Sequence, residues 1–108
     1  MIDESRYHRL VSESFERIED ALVDVDPSDV DLDRAGDVLS LQCRDGVRCI
    51  INTQRPTRQI WVAARASAWH FSWDEAGARW VSDKNADEEL FATLAAILRR
   101  HAAIEVRF

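Results

Sequence analysis

Nine carboxylates crowd the stretch from Glu13 to Asp33: Glu13, Glu16, Glu19, Asp20, Asp24, Asp26, Asp29, Asp31 and Asp33, with Arg17 the single base among them. Carboxylate oxygens are hard donors. They suit hard cations, di- or trivalent, without selecting one metal over another. No His or Cys falls inside the stretch, so no tight, closed transition-metal site is visible. Weak and exchangeable sites, several at once, are the physical expectation. The candidate ligands are Glu16, Glu19, Asp20, Asp24, Asp26, Asp29, Asp31 and Asp33. A plainer reading stands beside this one: a hydrated acidic face that keeps the domain soluble. Against it, like charges packed this closely repel one another and lower stability.

The charge is confined to one third of the chain. The first 33 residues hold 11 acids and 3 bases, whereas residues 34–108 hold 9 acids and 11 bases, within a net charge of −6. A face this negative repels nucleic acid. It steers a basic protein surface toward itself, with strong salt dependence. No other chemistry competes. With three Gly in the chain there is no phosphate-cradling loop, and no His stands in a triad-like order with Ser, Cys or Asp, so no catalytic residue is expected. The 108 residues form one domain, 1–108, with 46% hydrophobic residues and four Trp to build its core. Met1–Arg9 is polar and charged and no apolar run is long enough to span a bilayer, so the expected location is cytoplasmic, away from membranes.

Two helices must position these groups. Tyr7, Val11, Phe15, Ile18 and Leu22 recur at spacings of four, four, three and four, which predicts a helix from about Asp3 to Val23 with one buried stripe. Glu13, Glu16, Glu19, Asp20 and Asp24 cluster on its other side. After Pro27-Ser28, the period-two run Asp29-Val30-Asp31-Leu32-Asp33 predicts a short strand with its acids on one face. If that strand lies at a sheet edge beside the helix, the two acidic rows converge into one ridge. Further strands are expected at Val38–Cys43, Val47–Thr53, Gln59–Ala64, Ala68–Trp73 and Arg79–Ser82, joined by short turns. A second helix over about Asp87–Ala103 carries the stripe Leu90, Phe91, Leu94, Ile97 and Leu98. Asn85 and Glu88 have capping-box spacing at its start, and Arg99-Arg100 close it. The fold class is therefore α+β: a two-layer sandwich with two helices on one face of a roughly six-stranded antiparallel sheet.

Cys43 and Cys49 flank the turn Arg44-Asp45-Gly46. A three-residue loop with Gly46 left-handed sets Leu39, Leu41 and Cys43 opposite Ile51, Cys49 and Val47 and keeps one apolar face whole; a two-residue turn would break that face. Neither register opposes the two cysteines, so buried, reduced thiols are expected. The other sheet face is solvated. On it Trp61 stands among Ser40, Gln42, Arg48, Asn52 and Gln54, the composition of a protein-binding hot spot. The competing picture is a Trp61 folded back over the sheet and partly buried. With Asn52, Gln54 and Gln59, Trp61 makes up the candidate partner-binding set. Trp69, Phe71, Trp73 and Trp80 read as core. His70 lines the same open face, His8 is a possible extra nitrogen ligand on the first helix, and His101 sits where a helix C-terminus favours a cation.

Along Ile51–Ala64 the sequence resembles the bacterial frataxins. The pattern Asn-x-Gln-x-Pro-x-x-Gln-(aliphatic)-Trp is matched by Asn52, Gln54, Pro56, Gln59 and Trp61, and the likeness continues through Trp69-His70-Phe71, Tyr7-His8-Arg9-Leu10 and the acidic stretch. It differs at Val23, where relatives often add a carboxylate, at a shorter Pro27-Ser28 turn, and at Ser67-Ala68 in place of a Gly pair, so the resemblance does not fix the number of metal sites. The resemblance implies the sandwich above, weak binding of iron (Fe2+/Fe3+) by the acidic ridge, and a role in iron–sulfur cluster assembly. It implies docking on the cysteine desulfurase and cluster scaffold protein, with no enzymatic activity of its own, as a monomer for which metal-dependent oligomerisation is the variant to test. Two other functions fit the ridge: ferroxidase or iron-storage chemistry, disfavoured because Glu-x-x-His motifs are absent, and a metal-independent acidic protein-binding module.

Overall fold

The computed structural model describes residues 2–108. Helix α1 (Glu4–Leu22) starts where the Asp3 carboxylate accepts the Arg6 N–H at 2.8 Å. Its expected stripe is the one that is buried: Tyr7, Val11, Phe15, Ile18 and Leu22. After the helix, Asp26 accepts both the Ser28 N–H (2.9 Å) and its hydroxyl (2.8 Å), an Asx turn that redirects the chain into the sheet.

Six strands follow in an uninterrupted antiparallel meander, β1 (Val30–Ala35), β2 (Val38–Cys43), β3 (Arg48–Gln54), β4 (Gln59–Ala64), β5 (Ser67–Asp74) and β6 (Arg79–Ser82), ordered in space as in sequence. The first strand runs to Ala35 rather than ending at Asp33, because Arg34 and Ala35 still pair with Leu39 and Val38. The β2–β3 register is the expected one, with Leu39 opposite Ile51, Leu41 opposite Cys49, and the Cys43 N–H donating to the Val47 carbonyl (2.8 Å). Gly46 takes φ +91°, which closes that three-residue loop. Between β3 and β4 a short 3-10 turn, Arg55–Thr57, replaces a simple reversal.

Helix α2 (Leu90–Ala102) begins three residues later than the expected Asp87, with its N-cap at Glu89, four residues beyond Asn85. The backbone before it is held extended against β6: Glu88 accepts the Ser82 N–H at 2.9 Å, and Glu89 bridges to Val81. Glu89 then caps the helix itself, accepting from Phe91 (2.9 Å) and Ala92 (3.1 Å), while Asn85 serves an earlier turn by accepting the Asp87 N–H.

Both helices cover one sheet face. Leu39, Leu41, Cys49, Ile51, Ile60, Val62 and Phe71 from the sheet meet Tyr7, Phe15, Ile18, Leu90, Leu94 and Leu98 from the helices. Trp80 lies at 1% exposure with its indole N–H on the Ser14 hydroxyl (2.9 Å), so its one polar atom is satisfied. Residues after α2 pack Ile104, Val106 and Phe108 onto the same core. Among the described residues no helix is long and apolar enough to cross a membrane.

Candidate functional site

The acidic residues separate into sets that their partners define. On α1, Glu19 turns toward the sheet edge and receives Arg34 of β1 at 2.6 Å. The Arg34 guanidinium also lies 5.4 Å from the Phe15 ring. Glu13, Glu16 and Asp20 line a shallow hollow on the opposite flank with Arg17, Arg107 and Phe108. Strand β1 is the edge strand, as the ridge requires, but Asp31 and Asp33 sit opposite Gln42 and Ser40, on the face away from the helices. The helical and strand rows therefore flank β1 on its two sides, with Arg34 between them, instead of merging into one surface. Asp29 is 3.8 Å from Arg44, and Asp26 is committed to its turn, where the Ser28 N–H holds its carboxyl below the usual carboxylate range.

Glu16, Asp20, Asp24, Asp31 and Asp33 make no ion pair among the described residues. Nor do any three His, Cys, Asp or Glu side chains converge on one point there. An all-oxygen, solvated and dispersed donor set fits a hard cation held weakly through one or two carboxylates and its own water, and does not fit a resident, fully coordinated ion. His8 stands in the second turn of α1, 3.5 Å from Glu4, whose carboxyl is drawn down chiefly by its hydrogen bond from Arg55. It is not brought to the acidic set.

The open sheet face carries a compact aromatic and amide cluster. Asn52, Trp61 and His70 form one rung across β3, β4 and β5, and Gln54, Gln59 and Ser72 the next. Trp61 combines the two alternatives: it faces the open side, yet it lies down on that surface, half-buried. Its ring stacks on His70 at 4.1 Å and 15°, and its indole N–H donates to Gln59 Oε1 at 2.9 Å. Gln59 in turn donates to the Ser72 hydroxyl at 3.1 Å. The polar edges are thus satisfied internally, and what Trp61 offers a partner is a fixed flat ring.

Tyr7 fixes this cluster from behind. Fully buried, its hydroxyl donates to the Gln59 carbonyl at 2.6 Å and accepts the Gln54 N–H at 3.2 Å, closing the ends of β3 and β4 where they part for the 3-10 turn. Two residues of this site went unforeseen. Arg34 was signalled by a charged residue on the inward parity of β1, shared with Val30 and Leu32. The role of Tyr7 had no local signal, since its partners lie 47 and 52 residues away.

Residues 1–104 match the family model of the frataxin-like domain. The chain is similar to the iron–sulfur cluster assembly protein CyaY of Azotobacter vinelandii, with 41% identity over 86 residues, 80% of this chain and 77% of the relative. Against the CyaY protein of Pseudomonas fluorescens the identity is 36% over 107 residues, covering 99% and 96%. Among solved structures, frataxin from Psychromonas ingrahamii superposes with a TM-score of 0.87 at 25% identity over 97% of this chain and 96% of that one. Trimeric frataxin from Saccharomyces cerevisiae shares the fold, with a TM-score of 0.73 at 22% identity, covering 88% of this chain and 80% of that one.

Proposed function

The chain belongs to the frataxin-like family, and on that premise we propose that it serves iron–sulfur cluster assembly as a non-catalytic regulator. It binds iron weakly on its acidic edge and docks on the cysteine desulfurase and its scaffold. The observation that carries this reading is the set of five carboxylates, Glu16, Asp20, Asp24, Asp31 and Asp33, which make no ion pair among the described residues and lie on two sides of one sheet edge. Unpaired acids at that density repel one another, and a cation or a basic surface relieves the repulsion.

Iron enters here as cargo or signal. Each ion that settles on the edge cancels charge that would otherwise steer a basic partner, so loading changes docking. That coupling is electrostatic and needs no conformational change. Trp61, Asn52, Gln54 and Gln59 supply the complementary contact, where a flat ring braced by His70 and Gln59 loses little freedom when a partner covers it.

Anaerobic titration with Fe2+ followed by backbone amide shifts tests the iron half. Perturbation confined to residues 16–33 is the expected result. Iron oxidation faster than in protein-free buffer would instead favour the ferroxidase alternative, and no perturbation at low-millimolar Fe2+ would leave only the metal-independent module.

A further inference from the structure

Strand β5 is longer than the strand that covers it. It spans Ser67–Asp74, but β6 pairs only with Phe71–Asp74, and a last contact from the Asp83 N–H to the His70 carbonyl (2.9 Å) ends the cover. In an antiparallel ladder the N–H and C=O of alternate residues point to the same neighbour. His70 points toward β6, so Ala68 does too, at a level where β6 has already turned away. Ser67 and Ala68 are exposed. The sheet therefore carries a short free edge within its last strand pair, away from both outer strands.

A groove of about 600 Å³ opens beside this edge on the helix side, between the β4–β5 turn and α2. Trp69 and Ile97 give it apolar walls, and the Trp69 indole is anchored on Glu88 at 3.0 Å. Arg65 and Arg100 are among its lining residues, and neither guanidinium has a hydrogen-bond or ion-pair partner among the described residues; the acids Asp87, Glu88 and Glu89 line it too, with the Glu88 and Glu89 carboxylates engaged by the Trp69 indole and the α2 cap. A free anion would satisfy the arginines but not the backbone edge. An extended chain satisfies both, with main-chain bonds to Ala68, one side chain in the groove and an acid at the arginines.

We propose that this edge and groove bind an extended, acid-terminated peptide segment of a partner protein by strand addition to β5. The added strand runs antiparallel to β5 in line with β6, which brings its C-terminal end to Arg65. The site is separate from the acidic edge and from Trp61, so its failure leaves the proposed function untouched.

The test uses acetyl-Thr-Val-Thr-Val-Glu-amide as probe, with amide shifts as readout. Perturbation of residues 65–70 and 83–88 is expected. The Lys-for-Glu peptide should bind about tenfold more weakly, and a probe N-methylated at its central residues should not bind. Ala68→Pro removes an N–H that β4 does not use and should abolish binding with the sheet intact; Arg65→Glu should weaken it without touching the edge. The proposal is overturned if the probe perturbs the open face instead, if nothing moves at millimolar peptide, or if the N-methylated probe binds equally. Phosphate reproducing the same shifts would reduce the site to an anion pocket. Concentration-dependent shifts without peptide would assign the edge to a second copy of the chain.

Discussion

Individual side chains set how firmly the sheet and its open face are held. The Tyr7 hydroxyl serves two backbone groups at the root of β3 and β4, and Tyr7→Phe leaves both without it while preserving the ring's edge contact with Trp80. A loss of about 1–2 kcal/mol in urea unfolding is expected, accompanied by a change in Trp61 environment that a remote substitution of equal cost would not produce. The two thiols are structural. Burial pushes the Cys43 thiol up and carries Cys49 to about 12, so neither should react with a thiol reagent at neutral pH until the domain unfolds; rapid native-state labelling would contradict this. At the end of α2, buried His101 holds Asp45 at 2.7 Å, and this hydrogen bond keeps the Asp45 carboxyl below its ordinary value. A carboxyl lowered in the folded state contributes stability above its unfolded pKa and loses it as pH falls through the lowered one. Asp45→Asn should therefore flatten the acid limb of the stability profile below about pH 4 and leave its alkaline side alone.

At the scale of elements, α1 is arranged against its own stability. Glu16 and Asp20 stand four apart on one face of α1, Asp24 follows in the turn just past the helix end, and the last helical turn holds no base to complement the dipole. Replacing these three with Ala should stabilise the domain by about 0.5–1 kcal/mol at low salt, several degrees in Tm, and millimolar divalent cation should stabilise the parent but not the variant. Glu19→Ala should do the opposite, because it strips the partner from Arg34. These elements differ in how far the sequence revealed them. Alternation along Leu39–Cys43 and Cys49–Ile51 determined the hairpin register, because one slip would have turned every apolar residue outward. The start of α2 was illegible, since the capping signal at Asn85 competes with a bridge from Glu89 to a strand residue, Val81, that local sequence does not announce. The acidic rows were legible as rows. Their separation by β1 was not, because period arithmetic gives the face of each element but not which side of the sheet that face joins.

Taken whole, the molecule presents acids along α1 and β1, an aromatic and amide cluster on the open sheet face, and arginines around the β4–β5 turn and the end of α2. Such a distribution orients the domain before contact, so association with a basic partner should slow steeply as salt rises while its dissociation changes little; an association rate indifferent to salt would contradict the steering. Substitution of Trp61 by Ala should act in the other way, raising dissociation with a nearly constant association rate. The most direct measurement is cysteine desulfurase turnover with and without this protein at low and high Fe2+, run in parallel with a variant carrying Ala at Glu16, Asp20, Asp24, Asp31 and Asp33. The parent should change turnover by an amount that depends on iron, and the variant should lose both the effect and its iron dependence. An effect of equal size at both iron levels, retained by the variant, would contradict the proposed role.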